Sequence, residues 1–124
     1  MAALSHWQLP AFRDLHLEES SVFAIRESSS EVCFEMEFVV GERHVRYTKP
    51  IDGQPHCYRK GRMTFREVSD VKWTNKRAEL PHDADENADL GKVDSCLLDA
   101  GVYKLRGPWG RLELRAGTVD IEIW

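Results

Sequence analysis

Cysteine is scarce in this 124-residue chain, with Cys33, Cys57 and Cys96 the three present. An odd number without short paired spacing is not a disulfide framework. It is no zinc pattern either, since His56-Cys57 are adjacent while His82 and Cys96 stand alone. Neighbouring residues of an extended chain point to opposite faces, so His56 and Cys57 would not share one metal. Glycine-rich phosphate cradles are missing, because neither G-x-G-x-x-G nor the P-loop pattern occurs. There is no G-x-S-x-G elbow and no cysteine-protease signature. Cys57 with His44 or His56 remains as an unmarked nucleophile pairing. No apolar run approaches the ~20 residues a bilayer span needs. Met1 to Pro10 lacks the basic start and apolar core of a secretory signal. Basic charge is not in excess: 17 Lys and Arg face 21 Asp and Glu, a net charge of −4. That argues against a nucleic-acid binder. The absences together predict a soluble protein of a reducing cytoplasm, with no catalytic, cofactor or metal motif.

What is present is alternation. The length suits a single domain over 1–124, able to bury about two-thirds of its unfolded surface. Val32, Phe34, Met36 and Phe38 alternate with Cys33, Glu35, Glu37 and Val39, a strand with one wet face. Val119, Ile121 and Ile123 alternate with Asp120, Glu122 and Trp124 in the same way. Val22 to Arg26, His44 to Thr48, Arg62 to Val68, Val71 to Trp73, Val102 to Arg106 and Leu112 to Leu114 read as further strands. Short turn-rich links, such as Gly41-Glu42-Arg43 and Gly107-Pro108-Trp109-Gly110, imply antiparallel neighbours. Residues 1–20 form a lead-in, in which Leu9 to Leu17 is either a helical start at Pro10 or extended. Residues 79–91 form an acidic loop. The pattern predicts an all-β, mainly antiparallel β-sandwich or flattened barrel of about seven to eight strands with little helix. Its expected core is Val22, Ile25, Val32, Phe34, Met36, Phe38, Met63, Phe65, Trp73, Leu112, Leu114, Val119, Ile121 and Ile123.

Charge is segregated along the chain. Residues 41–66 carry seven basic and two acidic residues, residues 79–99 one basic and seven acidic, and residues 1–40 two basic and seven acidic. Complementary wet faces on neighbouring strands explain this without a partner. The functional reading is an acidic face for a basic protein, or a basic patch, with Arg43, Arg46, Arg59, Arg62 and Arg66, for a polyanion. Asp83, Asp85, Asn87, Asp89 and Asp94 fall at the oxygen positions of a calcium loop. Ala88 replaces the glycine that the sharp turn needs, and Asp94 replaces the bidentate glutamate. A solvated acidic loop with Asp and Asn as turn formers accounts for the same residues. Trp109, in its Gly-Pro-Trp-Gly turn, is either a contact point or folded back over the sandwich end; packing energy favours the second.

Leu15-His16-Leu17-Glu18-Glu19-Ser20 before Val22, then Gly61-x-Met63-x-Phe65-x-x-Val68, then the Gly-Pro-Trp-Gly turn before Leu112-x-Leu114, resembles a group of small all-β bacterial proteins of unassigned function. The resemblance implies the fold and supplies no site residue. The leading expectation is a macromolecule-binding protein without chemistry of its own, possessing an acidic face for a basic protein, as in toxin-neutralising immunity proteins. A homodimer through an exposed edge strand, Thr118 to Trp124, is the competing partner. A hydrolase or transferase with His44, His56 or His82 in a cleft between the sheets is the enzymatic alternative, and a calcium module the third.

Overall fold

The computed structural model describes residues 4–5, 8–76 and 90–124. Its strands are β1 (Leu4–Ser5), β2 (Ser21–Glu27), β3 (Glu31–Val40), β4 (Cys57–Arg66), β5 (Ser69–Thr74), β6 (Ser95–Asp99), β7 (Val102–Gly107), β8 (Gly110–Arg115) and β9 (Thr118–Ile123). One sheet runs β2-β3-β4-β9 and the other β1-β6-β7-β8-β5, antiparallel throughout. The two pack face to face as an all-β sandwich. The only helical pieces among the described residues are 3-10 turns at Pro10–Phe12 and Leu17–Glu19.

The period-two pattern does what it predicts. Val32, Phe34, Met36 and Phe38 are buried on one face of β3, with Met63 and Phe65 beside them on β4 and Leu112 and Leu114 across the sandwich. Phe34 meets Phe65 edge-on at 6.2 Å and Trp109 at 5.3 Å. Trp73, Val119 and Ile121 are half-buried and pack against this core rather than lying within it. The lead-in adds Phe12, Leu15 and Leu17, which the strand pattern does not reveal. It is tied down through buried Ser20, whose hydroxyl donates to the His16 carbonyl (3.0 Å) and accepts the Val39 N–H (2.9 Å). Pro10 opens a 3-10 turn, where its missing N–H costs nothing.

Three expectations change. His44 to Thr48 is not a strand: the chain turns there, with the His44 N–H donating to the Gly41 carbonyl and the Tyr47 N–H to the His44 carbonyl, each at 3.0 Å. The end of β3 pairs instead with Tyr58 and Cys57. Cys57 buries opposite Val40, whereas Val45 is 91% exposed and has no core to enter. β6 was concealed by Leu97-Leu98, which break the alternation; it joins β7 through Ala100-Gly101, both at positive φ as a two-residue hairpin turn requires. With β1 added, the described residues hold nine strands rather than seven or eight. Of the expected acidic loop, residues 79–89 lie outside the described residues, and Leu90 and Gly91 are tied to a strand. The Leu90 N–H donates to the Val22 carbonyl (2.8 Å), and the Val22 N–H donates to the Gly91 carbonyl (2.9 Å), so this segment lies along β2.

Candidate functional site

The outward residues of the four-stranded sheet bring the segregated charges together. Glu35 of β3 is only 6% exposed because Arg26 of β2 ion-pairs with it and Arg62 of β4 lies 3.4 Å away. Arg66 reaches Glu31 at 2.7 Å and Asp120 of β9 at 2.6 Å. The hydrogen bond to Asp120, then the charge of Glu31, raise its guanidinium above the ordinary arginine value. Glu27 accepts from Trp73 Nε1 (2.7 Å) and Lys76 (3.0 Å), tying the end of β2 to β5 of the opposite sheet. Complementary cross-strand pairing therefore joins carboxylates of residues 1–40 to arginines of residues 41–66. Cys33 lies half-buried on this face and accepts from the Thr64 hydroxyl at 3.5 Å.

The expected chemical residues do not converge. Cys57 is buried, and its sulfur accepts the Thr48 N–H at 3.5 Å. No hydrogen bond among the described residues links it to His44 or His56. His56 sits edge-on to Tyr58 at 5.9 Å and lines a groove of about 200 Å³. His44 accepts the Arg46 N–H at Nδ1 (3.0 Å), so its Nε2 carries the proton in this arrangement. Among the described residues, no three His, Cys, Asp or Glu side chains are grouped to hold a metal ion. Asp83, Asp85, Asn87, Asp89 and His82 lie outside the described residues; Asp94 is exposed, and its N–H donates to the Arg106 carbonyl (2.7 Å). No described helix is long and apolar enough to cross a membrane. Trp109 is fully buried, folded back against Phe34 and Trp73.

β9 forms one end of the four-stranded sheet, with the Pro10–Phe12 turn close to it. β9 pairs with β4 on one side only. The Trp124 N–H donates to the Lys60 carbonyl at 2.9 Å, which fixes the alternation: Thr118, Asp120 and Glu122 direct their backbone groups to β4. Val119 and Ile121 direct theirs outward, and no described backbone group bonds to them. Beside this edge, Ile121, Glu122, Ile123 and Trp124 share a groove of about 480 Å³ with His44, Val45 and Arg46. Arg59 holds the loop side in place, its Nε donating to the Arg46 carbonyl at 3.1 Å. Trp124 is 51% exposed, with the Arg62 guanidinium 5.1 Å from its ring centre. The alternation of Thr118 to Trp124 announced the edge, but nothing in the sequence announced its loop-side wall, because Val45 and Tyr47 imitate a strand. Comparison with family models, curated proteins and solved structures finds no match to this chain.

Proposed function

We propose that this chain is a small macromolecule-binding protein without chemistry of its own, and that it takes an extended basic segment of another protein as a fifth strand beside β9. The observation that carries this reading is the open edge at Val119 and Ile121, next to a groove with exposed apolar walls at Val45 and Trp124. Strand addition draws affinity from such unpaired backbone groups and specificity from alternate side-chain positions. Charge selects the occupant. A second copy paired antiparallel about Ile121 would set Asp120 opposite Glu122 twice; slid by two residues, it would set Asp120 against Asp120 or Glu122 against Glu122. Like charges directly opposite one another are unfavourable, whereas a strand alternating apolar and basic residues satisfies both faces. An immunity-type role toward a basic toxin in a bacterial cytoplasm is the biological setting we infer. Support comes from the net charge of −4, the three free cysteines and the resemblance to small bacterial all-β proteins.

The test uses two blocked peptides, one alternating valine with lysine and one alternating valine with glutamate. The lysine peptide is expected to shift the Val119 and Ile121 amide resonances, to weaken with added salt and to lose binding in Glu122→Lys. Equal response to both peptides, no response to either, or a wild-type dimer by sedimentation would reject this reading.

A further inference from the structure

The outer face of the other sheet carries a charge arrangement that cross-strand pairing does not resolve. Arg106 of β7 and Arg111 of β8 stand directly opposite each other in register. Both side chains are exposed, and no described carboxylate lies within ion-pair distance of either. Ser95 is the cross-strand neighbour of Arg106, and Thr74 that of Arg111. A hydroxyl residue therefore stands at each end of the arginine row. Lys104 is two residues from Arg106 on the same face and leans to Asp99 at 3.3 Å. Glu113, the one acid among the described residues lining this groove of about 480 Å³, falls in register between Lys104 and Lys72 rather than beside the arginine row. Every other arginine on the outward face of β2 and β4 has a carboxylate neighbour; this pair repels itself instead.

We propose that the Arg106–Arg111 pair is a binding site for a phosphate monoester. A carboxylate offers two oxygens and one charge, which one guanidinium fork satisfies. A phosphoryl group offers three terminal oxygens and a charge near −2, which suits two opposed forks with a hydroxyl at each end of the row. The monoester is borne either by a phosphorylated side chain or by a nucleotide. The site lies on the sheet opposite β9, so it does not depend on strand addition there.

The full chain is titrated with phenyl phosphate, phosphoserine and adenosine 5′-monophosphate, with acetate as control, in phosphate-free buffer. Expected are shifts of the Arg106 and Arg111 side-chain resonances with the phosphates and none with acetate. Affinity should fall roughly tenfold in either Arg106→Gln or Arg111→Gln, as for the loss of one charged hydrogen bond. Tighter binding of phosphoserine than of the nucleotide assigns a phosphoprotein source, and the reverse assigns a nucleotide. A second measurement separates a site from a bystander. Without phosphate, Arg111→Gln should melt higher than wild type because the repulsion is gone, and phenyl phosphate should raise the wild-type melting temperature by more than the variant's. No response at ~10 mM phenyl phosphate, a concentration at which even a weak ligand of the native state stabilises it, an equal response to acetate, or unchanged binding in the double variant would overturn the proposal.

Discussion

Cys96 shows how burial alone sets the chemistry of a single group. It is 2% exposed between the sheets, and desolvation pushes its thiol from the ordinary 9.0 up to about 12. Tyr103 is raised as well, by burial first and then by the nearby Cys96. An acid whose folded pKa exceeds its unfolded one binds protons more tightly in the native state, so its stabilising contribution is complete below pH ~9 and declines above it. Urea midpoints measured from pH 8 to 11 should therefore fall with pH, Cys96 contributing up to about 1.4 kcal/mol per unit. Cys96→Ala should start less stable and fall less steeply; parallel slopes would mean that the thiol ionises alike in both states. None of this was visible in the sequence, where Cys33, Cys57 and Cys96 look equivalent. What separates them is which sheet face each strand turns inward. Trp109 was ambiguous for a related reason: a Gly-Pro-Trp-Gly turn fixes the hairpin but not which way the indole swings. The Phe34 and Trp73 rings decide that, and they are distant in sequence.

Strands were legible where one face is apolar and the other wet, as in β3 and β9, and illegible where that rule lapses. β6 places Leu97 on the outer face and Leu98 opposite Leu4 of β1, so its hydrophobicity has no period. Val45 and Tyr47 have the right spacing but no strand partner: Val45 stays exposed, and Tyr47 packs against the core from a turn. Alternation records what a segment is able to do; pairing depends on which partner buries more apolar surface, and Cys57 opposite Val40 outcompetes the loop. The difference is measurable. Val45→Asp should change thermal stability by less than ~0.5 kcal/mol, as expected of an exposed position. Val40→Asp, at 2% exposure, should cost about 3 kcal/mol or more by placing a carboxylate in the core. Similar losses at both sites would restore the strand reading of His44 to Thr48. The β9 edge was readable as a strand, while its groove needed the long β3–β4 loop to return beside it.

At the scale of the whole molecule, folding brings the acidic block of residues 1–40 against the basic block of residues 41–66. Glu35 sits beneath Arg26 and Arg62, and Arg66 spans Glu31 and Asp120, so carboxylates of residues 1–40 meet arginines of residues 41–66 across β3 and β4. Glu35→Ala should cost about 1–3 kcal/mol in chemical denaturation, the range for charge-assisted bonds to a covered group. Added salt should erode that difference less than it erodes the effect of Asp120→Ala, whose carboxylate is exposed and screened. Equal erosion would place both pairs in bulk-like solvent. The order of the sheets also has a temporal side. β4 lies between β3, which precedes it directly, and β9, which follows only after the whole second sheet has been traced. On the ribosome, the β2-β3-β4 meander is complete while one flank of β4 still lacks its neighbour, and that flank stays bare until Thr118 to Ile123 emerge. The chain therefore meets the cell first as a sheet with an unfilled slot, and its own late strand must reach that slot before any other does.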